Sequence, residues 1–265
     1  MEGQLVRCKR WTWRVGEMIK KGGWGQVYEA RSEPGGLVGA IKLVPKDPGA
    51  ERELLFANVA GVRNVVPIID DGETDEKWAL VMPRAEKSLY DHLKTVGGPL
   101  DLVACREILA DVAATLADLD EAARKVVHRD VKPHNVLLLD GRWCLADFGI
   151  ARYSEASTGP STRKDKWSSP YAAPERWTNE TATSATDVYS FGVMAYELMV
   201  GRLPFAGRKR EEFERQHLSV PPDIPATAPA SLALLVDQCM EKASGARPSA
   251  ASLPRRVERL TETAW

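Results

Sequence analysis

His128-Arg129-Asp130-Val131-Lys132-Pro133-His134-Asn135 is followed by the apolar run Val136-Leu137-Leu138-Leu139 and, after a turn, by Asp147-Phe148-Gly149. Two acids, a lysine and an asparagine at this spacing make a loop able to orient a hydroxyl and to hold metal-bound phosphates. Asp140-Gly141 separates the apolar run from Trp143-Cys144-Leu145-Ala146. That pattern predicts a strand, a turn and a strand, which bring Asn135 and Asp147 near one another. Both side chains offer hard oxygen donors, which suit Mg²⁺ beside polyphosphate much better than zinc.

Upstream of this stretch the chain reads as strand-rich. Trp11-Thr12-Trp13-Arg14-Val15 is aromatic and β-branched with rough alternation, and predicts a strand. Ile19-Lys20-Lys21-Gly22-Gly23-Trp24-Gly25-Gln26-Val27-Tyr28 follows. Glycines suit a hairpin whose backbone passes close to another group, because they lack a Cβ and accept positive φ; most such clusters are ordinary turns. Val38-Gly39-Ala40-Ile41-Lys42-Leu43-Val44 is an apolar strand interrupted by one lysine, whose plain reading is a snorkelling or strand-end charge. Glu51-Arg52-Glu53-Leu54-Leu55-Phe56-Ala57 predicts a helix. Residues 65–69 and 78–82 read as strands, with a turn at Asp70-Asp71-Gly72-Glu73 between them.

Other stretches of the chain read as helical. Cys105, Ile108, Leu109, Val112, Leu116 and Leu119 recur at spacings of three and four, which gives a helix with one buried face, opened by Pro99 and an Asp101 cap. Residues 147–175 are polar and hydroxyl-rich, the composition of a solvated loop. The nearly apolar stretch from Asp187 to Val200 stops at Gly201 and Pro204, and predicts a helix buried at the centre of its layer with Asp187 as default N-cap. Val220-Pro221-Pro222-Asp223-Ile224-Pro225 reads as a connector before a helix containing Leu232, Leu235, Val236, Cys239 and Met240.

Bulk properties narrow the function classes. A chain of 265 residues, 44% hydrophobic, suffices for one large domain or two small lobes sharing a cleft. Its net charge of −1 gives no global pull toward nucleic acid or an anionic membrane. Cys8, Cys105, Cys144 and Cys239 form no C-x-x-C pair, as expected of reduced, mostly buried thiols in a cytoplasmic protein. The start does not resemble a signal peptide, and no apolar run approaches the roughly 18 residues that span a bilayer.

The ordered set of motifs resembles the Hanks-type serine/threonine protein kinases, and is most similar to their bacterial, eukaryotic-like branch. H-R-D-x-x-x-x-N followed by D-F-G has the order of that family's catalytic and metal-binding loops. Gly22, Gly25 and Val27 match the second glycine, third glycine and valine of G-x-G-x-x-G-x-V. Lys42 matches the lysine of V-A-I-K, and Ala173-Pro174-Glu175 matches A-P-E. Arg247 matches the arginine that pairs with the glutamate of A-P-E. Lys132, two residues after Asp130, is the serine/threonine form of the loop.

The resemblance implies an α+β, bilobal fold forming one catalytic domain over residues 1–265. A β-rich N-lobe with one regulatory helix takes residues 1–83, a hinge 83–85, and a mostly helical C-lobe 86–265, with ATP between the lobes. Asp130 is then expected to accept or orient the substrate hydroxyl's proton and Lys132 to neutralise the γ-phosphate. Asn135 and Asp147 are expected to hold Mg²⁺, with Mn²⁺ as a substitute. Lys42 positions ATP and pairs with Glu53. Gly22, Gly25, Val27, Ala40, Met82 as gatekeeper, Pro83, Ala85 and Leu137 complete the nucleotide pocket. The implied substrates are protein serine and threonine hydroxyls, including Ser157, Thr158, Ser161 and Thr162 of the chain's own loop through self-association. Arg129 is expected to pair with that loop once phosphorylated. Asp187 ties down the catalytic loop, His128 packs inside, and Ser168 faces Asp130 and Lys132. Lys20 stands where the first glycine is usual, with room for its side chain to point to solvent. Trp167 replaces a usual glycine beside the peptide site.

Two other readings compete. A small-molecule kinase such as an aminoglycoside phosphotransferase shares a related acid and asparagine, but is not expected to carry Ala173-Pro174-Glu175 or the Asp187 helix. A pseudokinase-like ATP-binding scaffold is at odds with the joint presence of Lys42, Asp130, Asn135 and Asp147.

Overall fold

A computed structural model describes residues 1–22, 25–46, 61–123, 125–148, 152–153 and 168–261. The helix expected over residues 51–57 lies outside them.

The first part of the chain is one antiparallel sheet. Its strands are β1 (Leu5–Arg7), β2 (Thr12–Gly22), β3 (Gly25–Glu33), β4 (Val38–Pro45), β5 (Asp70–Glu73) and β6 (Lys77–Pro83), in spatial order β1-β2-β3-β4-β6-β5. Alternation decides its faces. Trp13, Tyr28, Ala30, Ile41, Leu43, Ala79 and Val81 form one buried cluster, and Val27, Lys42 and Leu80 lie on the opposite face, because each is a neighbour in sequence of a core residue. An isolated bridge from Cys8 to Gly72 joins the first strand region to the last.

One expectation fails here. Residues 65–69 form no strand; the strand lies at Asp70–Glu73, the stretch read as a turn. Asp70 explains the shift. Its buried carboxylate accepts the backbone N–H groups of Arg10 and Trp11, the Nε1–H of Trp13 at 2.8 Å, and the N–H of Asp71. An acid that polar residues usually spend on a turn is here spent on anchoring the start of the chain to β5. Gly72 allows the close approach, since a Cβ there would lie 2.6 Å from the Arg7 carbonyl oxygen.

The second part is built on helices: α1 (Leu89–Val96), α2 (Leu102–Glu121), α3 (Pro174–Trp177), α4 (Ser184–Val200), α5 (Arg210–Ser219), α6 (Ala230–Cys239) and α7 (Leu253–Glu258). Asp101 caps α2 by accepting the Ala104 N–H at 2.8 Å. The buried face of α2, with Cys105, Ile108, Leu109, Val112 and Leu116, joins α4 and α6 in the main core. Helix α4 is buried on nearly all sides, with Tyr189, Phe191, Met194 and Tyr196 inaccessible. Each such side chain contributes about 1.5–3 kcal/mol of burial. Its N-cap is Thr183, in a capping box with Thr186, and not Asp187. All four cysteines are buried and free of disulfides.

The second part also carries the short strands β7 (Lys87–Ser88), β8 (Val126–Val127), β9 (Val136–Leu139) and β10 (Arg142–Leu145), with β11 (Arg152–Tyr153) pairing β8. Asp140 and Gly141 both have positive φ, 48° and 75°, so β9 and β10 turn tightly onto each other. Among the described residues no helix is long and apolar enough to cross a membrane.

Candidate active site

The loop from His128 to Asn135 is held from behind. Asp187, in the first turn of α4, accepts the backbone N–H groups of His128 and Arg129, each at 2.7 Å. Burial pushes its carboxyl up to about 7, while those two donors favour the ionised form. His128 is fully buried. Its Nε2 faces the Ala146 carbonyl at 3.1 Å, which only accepts, so Nε2 carries the proton and Nδ1 accepts the Asp130 N–H. Burial lowers its pKa, which keeps it neutral and structural. Arg129 and Asp147 have left-handed backbones, φ 73° and 69°. For non-glycine residues each costs on the order of 1 kcal/mol, a strain the anchored loop sustains.

In front of this anchor several polar side chains converge. Lys132 Nζ donates to Asp130 Oδ2 at 2.6 Å and also reaches the Ser168 hydroxyl. Asn135 Nδ2 donates to the Asp130 carbonyl and to its Oδ2, both at 2.9 Å. The Ala146 N–H donates to the Asn135 carbonyl, which sets Asn135 beside the segment that ends at Asp147. Lys42 crosses from β4 to Asp147 Oδ1 at 2.9 Å. Burial alone raises the Asp147 carboxyl, but Lys42, with Lys20 behind it, overrides this and holds it well below the usual carboxylate range.

Lys20 does not simply point away into solvent. Its Nζ donates to the His134 carbonyl at 3.3 Å, so a β2 side chain reaches the catalytic loop. Desolvation lowers its pKa, partly offset by the attraction of Asp147. Burial, with Lys20 and Lys132, lowers His134 to about 4, and its ring stacks on Tyr90 at 3.7 Å between centroids.

Of the pocket residues named from sequence, Ala40, Met82, Ala85 and Leu137 lie in one neighbourhood. Ala40 pairs with Met82 across β4 and β6. Met82, Ala85 and Leu137 pack against Val66, Leu139, Cys144 and Ala146. Pro83 ends β6, and Arg84 beside it pairs with Glu29 of β3. Gly25 has φ 148°, and a Cβ there would lie 2.6 Å from the Leu43 carbonyl oxygen, so glycine is required for β3 to lie against β4. Gly22, the last residue of β2, pairs with Gly25, the first of β3. Glu53, Ser157, Thr158, Ser161, Thr162 and Trp167 lie outside the described residues. Away from the cleft, Arg247 NH1 and NH2 meet Glu175 Oε1 and Oε2 at 2.8 and 2.9 Å.

Residues 13–256 match the family described as "Protein kinase domain". The chain belongs to the protein kinase domain family. The use of ATP and a divalent metal goes with that family. This kinase domain is 34% identical over 271 residues to the serine/threonine-protein kinase PkaA of Streptomyces coelicolor, across 93% of this chain and 49% of that protein. It is 32% identical over 260 residues to pkn2 of Myxococcus xanthus, across 90% of this chain and 31% of that protein. With PrkC of Bacillus subtilis it shares 29% identity over 215 residues, across 78% of this chain and 33% of that protein. The chain thus spans half or less of the length of each of these relatives. The aminoglycoside phosphotransferase reading gives way to this family match.

Proposed function

We propose that this kinase domain transfers the γ-phosphate of ATP to serine and threonine hydroxyls of proteins. The observation that carries the reading is the convergence of Asp130, Lys132, Asn135, Asp147 and Lys42 at one cleft between the sheet and the helical part. Phosphoryl transfer asks a protein mainly for positioning and for neutralisation of charge. Asp130 holds one carboxylate oxygen among Lys132 and Asn135 and orients the substrate hydroxyl. Lys132, already on the Ser168 hydroxyl, lies where a serine or threonine side chain would present its oxygen. Lys42 positions the nucleotide and, through Asp147, links the sheet to the metal-binding segment.

The donor set fits a hard divalent cation. Asp147 offers a carboxylate, and Asn135, whose amide nitrogen is spent on Asp130, offers its amide oxygen. Asn135 and Asp147 would hold Mg²⁺, with Mn²⁺ as a substitute. When bound, nucleotide and metal supply the transferable phosphoryl group and the charge neutralisation between phosphates. Val27, Ala40, Met82, Ala85 and Leu137 form apolar walls for adenine around the hinge at residues 83–85, and Glu53 partners Lys42 when the nucleotide is engaged. Arg129 receives the loop phosphorylated on Ser157, Thr158, Ser161 or Thr162, which self-association delivers in trans.

The test is mass spectrometry of the purified chain after incubation with ATP and Mg²⁺. Phosphoserine or phosphothreonine within residues 154–167 is the expected outcome. Recovery of ATP-bound but unphosphorylated chain, inactive also on a basic protein substrate, supports the scaffold reading instead.

A further inference from the structure

The register of the sheet gives Lys20 a place that its position in a glycine-rich motif does not suggest. From Met18↔Tyr28 to Lys20↔Val27 the β2 strand advances two residues while β3 advances one. A second irregularity lies between Val15 and Met18, and across the two Lys20 stands five residues after core-facing Val15, an odd spacing that puts its side chain on the opposite face. Lys20, Val27 and Lys42 form one cross-strand row on that face of the sheet. Lys42 identifies that face, since its ammonium meets Asp147 in the cleft.

Three ammonium groups therefore gather around two carboxylates. Lys20 senses Asp147, Lys132, Asp130 and Lys42 as its charged neighbours. Lys42 is held by Asp147 and Lys132 by Asp130, whereas the hydrogen bond of Lys20 is to a single neutral carbonyl, that of His134, at the long distance of 3.3 Å. A carbonyl acceptor does not balance a cation placed beside two others. The chemical complement of such a group is an anion entering from the cleft side, and a phosphate oxygen gives it a charge-assisted bond.

We propose that Lys20 is a phosphate-binding residue of this kinase domain, which leaves the His134 carbonyl to hold the terminal phosphate of the nucleotide from the sheet side, opposite Lys132. The proposal rests on the ATP-dependent reading above. It replaces the backbone approach of a glycine with a side-chain charge, and it makes Lys20 selective, favouring a triphosphate over a diphosphate. An interlobe prop made only by the His134 contact carries no such selectivity.

The two roles separate in nucleotide binding. Wild type, Lys20→Met and Lys20→Arg are titrated by calorimetry with ADP and with a non-hydrolysable ATP analogue, each with Mg²⁺. The expected result is that Lys20→Met lowers affinity for the analogue about tenfold relative to ADP, the loss of one charge-assisted bond. Lys20→Arg retains most of the preference. Retained ADP binding certifies the fold of each variant. An equal change for both nucleotides, or no change, overturns the assignment of Lys20 while leaving the kinase reading intact. A wild type that binds neither nucleotide overturns both.

Discussion

Two carboxylate–cation pairs in this molecule use similar chemistry to opposite ends. At Arg247 and Glu175 the side chains are 0% and 6% exposed. All five guanidinium N–H groups are spent: two on the Glu175 carboxylate, and the others on the carbonyls of Ala185, Glu241 and Lys242. Thr186 donates a further bond to Glu175. Nothing is left over. At Lys42 and Asp147 the corresponding exposures are 8% and 26%, and the lysine donates to the acid at 2.9 Å. The first pair is saturated by its own protein and welds α3 to the segment before α7. The second pair leaves about a quarter of its acid exposed, as a group that exchanges partners requires. Exposure of the acid separates a structural ion pair from a working one.

Changes in the cleft should therefore act on transfer and spare stability, and changes at the weld should do the reverse. Asp130→Asn is expected to have the largest effect, a loss of about 10³-fold or more in phosphoryl transfer, since a charge placed for the transition state is removed. Its unfolding midpoint in urea should match that of the wild type; a large downward shift would blur the contrast. Arg247→Met comes next. It leaves Glu175 buried without its cation, and such a break costs about 3–5 kcal/mol. Equilibrium unfolding measures it, and transfer per folded molecule should be unchanged.

Lys42→Met is expected to lower transfer about 10²-fold, some 2.7 kcal/mol at about 1.36 kcal/mol per factor of ten. Stability should fall much less than in Arg247→Met, because Asp147 is more exposed than Glu175. Normal turnover would contradict the assignment of the β4 lysine. The smallest effect is on acid stability. Burial raises the Glu175 carboxyl, but Arg247 overrides this and sets it below its ordinary value of 4.5. Its stabilisation is thus present above the ordinary value and is lost as pH falls through the lowered one. Glu175→Gln should flatten that part of the acid-unfolding curve, and an unchanged slope would place the acid sensitivity elsewhere.

A strand-rich first part and a helical second part were legible in the pattern of apolar residues, the α+β fold itself came from the family resemblance, and helix α2 with its Asp101 cap followed directly from periodicity. Two local readings failed because short-range chemistry was outvoted by distant partners. Asp70 looks like a turn acid until Arg10, Trp11 and Trp13 are placed around it. Asp187 looks like an N-cap until the loop amides of His128 and Arg129 arrive at its oxygens. The roles of the cleft residues came from the order of motifs, which no single motif supplies. Lys20 was illegible for another reason: its partners depend on the register of β2 against β3, whose two irregularities leave no trace in composition.

The contrast between weld and cleft is tested most directly at Asp147. Asp147→Asn keeps the size of the side chain and removes its charge. Transfer from γ-labelled ATP to protein serine and threonine, measured beside the urea unfolding midpoint of the same preparation, should fall to background while the midpoint stays at the wild-type value. Retained transfer, or loss of the fold together with the activity, would contradict the account.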